Sequence, residues 1–196
     1  MKKIIIGLIS IIVLAVIANA VMPSLTSSKD LPHISYQETF SQPEEEYFVY
    51  FYQESCGLCQ EFSPELVDAS ANHEVSIYLV DLGDEANQSA WYDWETHNNI
   101  YPKVIGTVVD GEKVFNEGES EANYPTNEGW EITTNENNEI LADHKGAFNN
   151  LTPQTPEELD ISGTPSLLKV KNGKFADYSE GLSASRTLLK NYIEAK

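Results

Sequence analysis

The sequence predicts an α/β domain. Three observations carry that prediction. Tyr47–Tyr52 and Val75–Leu82 are apolar, strand-like runs separated by an amphipathic stretch of helix length, which makes a βαβ unit. Asn172-Gly173 separates two short runs of strand composition, the strongest hairpin signal in the chain. Ala184–Ala195 closes the sequence with Leu188, Leu189, Tyr192 and Ile193 as an apolar stripe at helical spacing.

Taken in order, the chain opens Met1-Lys2-Lys3 and then runs apolar from Ile4 to Met22, with Ser10 and Asn19 as polar interruptions. A basic start followed by an apolar segment has the form of an export signal, and Ala18-Asn19-Ala20 fits a cleavage site. The same segment approaches the roughly 20 residues that span a bilayer. Residues 1–22 are therefore expected to be an N-terminal membrane anchor, with secretion after cleavage near Ala20 as the alternative. With Lys2 and Lys3 inside, the remainder lies outside the cytoplasm. Residues 23–32, with three serines and two prolines, read as a linker, and 33–196 as the domain.

Within the domain, Ile34, Tyr36 and Phe40 space one short helix between His33 and Glu46. Tyr47–Tyr52 is aromatic and β-branched without alternation, as in a strand buried on both faces. A helix is expected from Cys56 to about Asn72, with Phe62, Leu66 and Val67 on one face and a kink at Pro64. Val75–Leu82 then pairs in parallel through a right-handed crossover. Asp84–Asn99 reads as a helix carrying Trp91, Tyr92 and Trp94. Val104–Val109 and Glu112–Phe115 make a hairpin about Asp110-Gly111. Asn116–Asn138 reads as acidic, turn-rich surface, and Thr152–Leu159 as a capped turn of helix with Pro156 near its start. Ser166–Val170 and Lys174–Tyr178 form the Asn-Gly hairpin, and Gly181 and Ser183 precede the last helix.

Beyond the first 22 residues lie all 31 acidic residues and ten of the 12 basic ones, a formal charge of −21. Nucleic acid and anionic lipid are polyanions, so this balance argues against both as partners. The calcium-loop spacing is absent from the acidic stretch.

Cys56-Gly57-Leu58-Cys59 holds the only two cysteines of the 196 residues. On the first turn of a helix, unpaired backbone N–H groups and the helix dipole favour a thiolate at the first cysteine. Such a sulfur is both nucleophile and leaving group in disulfide exchange, and the second cysteine is placed to resolve a mixed disulfide. Zinc needs four ligands, and His33, His73, His97 and His144 are scattered singly. A bridge closing so short a loop contributes only about 2 kcal/mol by chain entropy, so a purely structural role is weak. An exported chain with a single vicinal pair fits redox chemistry.

These residues resemble the thioredoxin superfamily. The match rests on strand Tyr47–Tyr52 leading to Cys56-Gly57-Leu58-Cys59, on Pro64 within the helix, on Gly163-Thr164-Pro165, and on the hairpin LLKVKNGK that follows. It covers roughly residues 34–82 and 153–196. The resemblance implies a thioredoxin-like fold, a central mixed sheet flanked by helices, whose βαβ half and cis-proline hairpin half are separated by an insertion of about 70 residues, at about 83–151. It implies Cys56 and Cys59 as the redox pair, no cofactor beyond their disulfide, and Pro165 in cis beside them. It further implies that the Thr164 backbone pairs with an extended substrate segment. The sequence departs from the family at Ser55, where thioredoxins have tryptophan, at Leu58, where they have proline, and at Tyr50, where they place a buried acid. Glu54 is then the nearest acid–base candidate, although Glu54 and Glu61 both oppose thiolate formation. Some similarity extends to the bacteriocin-transport accessory branch of exported bacterial members.

The expected function is an extracytoplasmic thiol–disulfide oxidoreductase acting on exported protein thiols and disulfides, served by a membrane or extracytoplasmic redox partner. The alternative is a non-catalytic binding module that uses the acidic insertion to hold a partner protein.

Overall fold

Glu46–Tyr52 forms the central strand, β1, and its side chains alternate between two cores. Phe48 and Tyr50 enter one; Tyr47, Val49 and Phe51 enter the other. All five are at most 2% exposed, as the unbroken apolar run requires. The computed structural model describes residues 27–196. The expected signal or anchor, residues 1–22, lies outside the described residues. Among the described residues, no helix is long and apolar enough to cross a membrane.

The helix α1 (Gly57–His73) follows β1, and strand β2 (Ile77–Asp81) follows the helix. β2 lies parallel to β1, with Phe48 opposite Ile77 and Tyr52 opposite Asp81. Cys59, Phe62, Leu66 and Ala69 are the buried stripe of α1. Ala69 thus holds the place expected of Val67, because three- and four-residue steps from Cys59 reach 62, 66 and 69. Full burial of a side chain such as Phe62 stabilises the fold by about 1.5–3 kcal/mol. The helix runs on through Pro64 and ends at Glu74, which adopts a left-handed conformation at φ 52°.

From Ser27 onward, the stretch expected to be linker packs on the domain. Leu31 is 2% exposed in the first core, and the Ser63 hydroxyl donates to that of Ser28 at 2.5 Å. Leu79 N–H donates to the Pro32 carbonyl at 2.8 Å, and Ile34 N–H to the Leu79 carbonyl at 2.9 Å. The short helix expected before β1 is a single turn at Tyr36–Glu38, closed by a Ser35–Glu38 capping box.

The sheet is completed by two strands from the far end of the chain, β7 (Ser166–Lys171) and β8 (Lys174–Glu180). Its order is β2-β1-β7-β8, mixed as expected, with β7 antiparallel to β1. Asn172 and Gly173 both have positive φ, which the tight turn between β7 and β8 demands. The last helix, α3 (Leu182–Glu194), packs with α1 over the first core through Leu189. Across that interface Arg186 Nε donates to Glu65 at 2.7 Å and Arg186 Nη2 to Glu61 at 3.1 Å. The second core is closed by loops: Leu82, Ala90, Leu159 and Ile161 are its lid.

Between the halves stands a second sheet of β3 (Lys103–Val109), β4 (Glu112–Phe115), β5 (Trp130–Thr134) and β6 (Glu139–His144), in the order β4-β3-β6-β5. The hairpin of β3 and β4 turns at Asp110-Gly111 as expected, with both φ angles positive. Two strands were not expected: β5 and β6. Their core is small, built on Ile105, Tyr124, Ile140 and Ala142. Gly106 lies where β4 comes closest; a Cβ there would meet the Val114 carbonyl oxygen and stand 2.9 Å from Phe115 Cα.

The single helix expected over 84–99 is broken in two. Asp84 accepts from Ala86 N–H and caps a 3-10 stretch, Glu85–Ala90, and Asp93 accepts from Thr96 N–H and caps α2 (Trp94–Ile100). Two aspartate caps nine residues apart start two short helices and leave Trp91 extended between them. There Trp91 bridges Ile161 in parallel. Pro156 likewise starts only a 3-10 turn, Pro156–Glu158, without a side-chain cap at Thr155.

Candidate active site

The end of β1 and the start of α1 place the two cysteines. Cys56 is the N-cap of α1 in extended conformation, and its sulfur accepts from Cys59 N–H at 3.1 Å. Cys56 and Cys59 form a disulfide with their Cα atoms 5.2 Å apart. Cys59 is 3% exposed, whereas Cys56 is half-buried at the surface. The accessible sulfur is thus the one at the positive end of a 17-residue helix, where a thiolate is favoured once the bridge opens.

The Thr164–Pro165 bond is cis, and the Thr164 carbonyl oxygen lies 3.6 Å from Cys56 Sγ. Cys56, Cys59, Thr164 and Pro165 are therefore brought together, although 108 residues separate the contact. Leu58, between the two cysteines in sequence, is half exposed.

Tyr50 stands under the pair. Its hydroxyl donates to the Cys59 carbonyl at 3.3 Å, and its ring stacks on Tyr52 and meets Phe62 edge-on. Burial holds the Tyr50 phenol well above its ordinary range. Burial, with Asp81 and Glu54 nearby, pushes the Tyr52 phenol up to about 12. Tyr50 is thus a neutral donor and cannot serve as the buried base that the family's acid would supply. Glu54 is exposed and lines a groove of about 330 Å³ with Tyr50, Tyr52 and Cys59. Its backbone carbonyl accepts from the Gln60 side chain at 2.9 Å. Glu61 carries its charge toward Arg186, which offsets the repulsion expected between that carboxylate and a thiolate. Among the described residues, no group of three or more His, Cys, Asp and Glu side chains is placed to hold a metal ion.

The sequence signalled the cysteines and the proline loop but not the pairing of Arg186 with Glu61 and Glu65, which joins residues more than a hundred positions apart. Nor did it signal that Trp94 donates its indole N–H to the Ser162 carbonyl at 2.9 Å.

The thioredoxin family model matches residues 27–117, less than half of the chain and ending just beyond β4. No curated protein matches. Solved structures that align with the chain include mitochondrial thioredoxin 3 from Saccharomyces cerevisiae in its oxidized form. It is 11% identical, with a TM-score of 0.40 over 86% of this chain and 98% of that one. Thioredoxin f2 from Chlamydomonas reinhardtii aligns at 14% identity, with a TM-score of 0.39 over 85% and 96%. Plasmodium falciparum thioredoxin aligns at 15% identity, with a TM-score of 0.38 over 84% and 98%. At these TM-scores the alignments carry no weight beside the topology. The family match over residues 27–117, the β2-β1-β7-β8 order and the Cys56–Cys59 disulfide at the start of α1 together give the chain a thioredoxin-like fold with a paired Cys-x-x-Cys.

Proposed function

We propose that the protein exchanges disulfides with exported polypeptides outside the cytoplasm. Thiol–disulfide oxidoreductase chemistry is the general activity, and one observation carries it: an accessible Cys56 sulfur at a helix N-cap, bridged to a buried Cys59. In the reducing direction the Cys56 thiolate attacks a client disulfide, forming a mixed disulfide and releasing one client thiolate. Cys59, as thiolate, then attacks Cys56 Sγ, re-forming the Cys56–Cys59 bond and releasing the second client thiolate. Two electrons pass to the client, and the reverse sequence oxidises it. A membrane or extracytoplasmic dithiol–disulfide partner resets the pair.

Thr164 and Pro165 are the proposed client-binding residues, with the Thr164 backbone pairing to an extended segment as a strand would. Among the described residues no backbone partner occupies the Thr164 N–H, and its carbonyl faces Cys56. Glu54 is the proposed proton carrier for Cys59, on the strength of the groove that they share. The support for export is the sequence of residues 1–22, as an uncleaved anchor or a cleaved signal.

Redox titration of the full-length protein, read by thiol trapping and mass, tests the reading. A reversible two-electron transition is expected. A value near roughly −270 mV assigns a reductant and one near roughly −120 mV a disulfide donor. Absence of a reversible transition defeats the proposal and leaves the binding-module reading.

A further inference from the structure

The backbone of the loop before cis Pro165 can be followed group by group. Ile161 N–H donates to the Ala90 carbonyl at 2.8 Å, and Tyr92 N–H donates to the Ile161 carbonyl at 2.9 Å. The Ser162 carbonyl accepts the Trp94 indole N–H at 2.9 Å. Ser166 Oγ donates to the Gly163 carbonyl at 2.8 Å, and Gly181 N–H to the Pro165 carbonyl at 2.8 Å. On the side-chain side, Ser162 Oγ donates to Glu180 at 2.6 Å. The Glu180 carboxylate also closes on Gly163, where a Cβ would stand 3.0 Å from its oxygen. Every carbonyl from Ile161 to Pro165 is thereby occupied except that of Thr164, the one facing Cys56.

The two holds nearest the thioredoxin-type hairpin come from Ser166, the first residue of β7, and Gly181, the N-cap of α3, as local chain geometry provides. Those on Ile161 and Ser162 come from residues 90–94, in the segment between the two halves. Trp94 is itself held in orientation. Its ring packs edge-on against Tyr92 at 4.9 Å and His97 at 5.1 Å. The Asp93 cap fixes the start of its helix. Tyr92 donates its hydroxyl to His97 Nδ1 at 2.8 Å while accepting from Phe148 N–H, and His97 Nε2 meets the His144 carbonyl at 3.0 Å. The second sheet is therefore wired through one aromatic cluster to the loop that faces the disulfide.

We propose that Trp94 is a positioning residue for client binding: its indole sets the Ser162–Thr164 backbone so that Thr164 can pair with an extended polypeptide. The proposal rests on the oxidoreductase reading of the same site. Its consequence is selective. A polypeptide disulfide uses the Thr164 edge and depends on Trp94, whereas a small disulfide reaches Cys56 without that edge and does not.

The test compares Trp94→Phe with Trp91→Phe, which removes an indole bond of the same length to the Leu82 carbonyl instead. Turnover is measured with a disulfide-bonded peptide and with oxidised dithiothreitol or its reduced form, together with the reduction potential. For Trp94→Phe the peptide KM is expected to rise about three- to tenfold, with kcat, the small-molecule rate and the potential unchanged. Amide exchange of Ile161 and Tyr92 is expected to accelerate in that variant while β1 and β7 stay protected. An unchanged peptide KM, or an equal loss for both substrates or in both variants, overturns the proposal. If the wild-type protein exchanges no disulfide, the oxidoreductase reading fails, and the amide-exchange comparison alone decides whether Trp94 holds the loop.

Discussion

Cys56 Sγ lies 3.6 Å from the carbonyl oxygen of Thr164, and that contact joins the two halves of the thioredoxin-type sheet at the point of chemistry. Its disulfide partner, Cys59, is buried, and the Cys59 carbonyl accepts from the Tyr50 hydroxyl. Division of labour between the sulfurs follows from this difference in access. Cys59→Ser is expected to accumulate a mixed disulfide between Cys56 and a client peptide, visible as added mass that reductant removes. Cys56→Ser is expected to form none, and equal trapping by both variants would reverse the assignment.

Arg186 bears on the same thiolate from the side. It pairs with Glu61 and Glu65, and its removal frees two carboxylate charges near the start of α1. Arg186→Leu is therefore expected to slow alkylation of reduced Cys56 at neutral pH. The difference should shrink as salt is added, since exposed charges are screened. A rate unaffected by the substitution would mean that those carboxylates do not reach the sulfur.

Glu46, at the start of β1, is bound by Lys171 and by Lys169 at 3.3 Å across the β1–β7 pair. The bond to Lys171, then that to Lys169, holds its carboxyl below the ordinary value of 4.5. A carboxylate lowered in the folded state stabilises above its unfolded pKa, and that gain is lost as pH falls through the folded one. Glu46→Gln is expected to cost about 0.5–1 kcal/mol at pH 7, with the gap to wild type closing below about pH 4. Urea unfolding at several pH values measures it; a gap independent of pH would show that charge is not the cause.

Gly106 makes a sharper steric prediction. Gly106→Ala drives a Cβ into the β4 backbone, which has no flexible side chain to yield. Loss of about 1–3 kcal/mol is expected. Faster amide exchange should be confined to β3, β4 and β6, with β1 and β7 protected as before. Uniform exchange across both sheets would mean that they unfold together.

The first sheet was legible because each of its parts carries a local signal. Tyr47–Tyr52 has no polar face to expose, Asn172-Gly173 fixes a turn by itself, and Cys56 and Cys59 mark their own helix start. The second sheet was legible only in part. Asp110-Gly111 announced one hairpin, but β5 and β6 turn through Asn135–Asn138, inside a stretch whose acidic surface positions mask the alternation of Ile140, Ala142 and His144. The divided helix at 84–99 had both its aspartate caps in plain view. Each cap starts its own short helix, and the aromatics between them do not carry one helix through. Trp94 and Ser162 had no local signal at all, because a bond across 68 positions is written only in the tertiary fold.

The pairing of β1 with β7 also sets an order of events during synthesis. Phe51 finds Ser166 only after more than a hundred further residues have been made, whereas β3 to β6 pair within 42 positions. Local contacts close before distant ones because their loops lose less entropy. The second sheet can therefore assemble while β1 still lacks its antiparallel neighbour. Cys56 and Cys59, three positions apart, need no distant strand to come together. Through that interval the nascent chain holds a redox pair whose cis-proline wall has not yet been made.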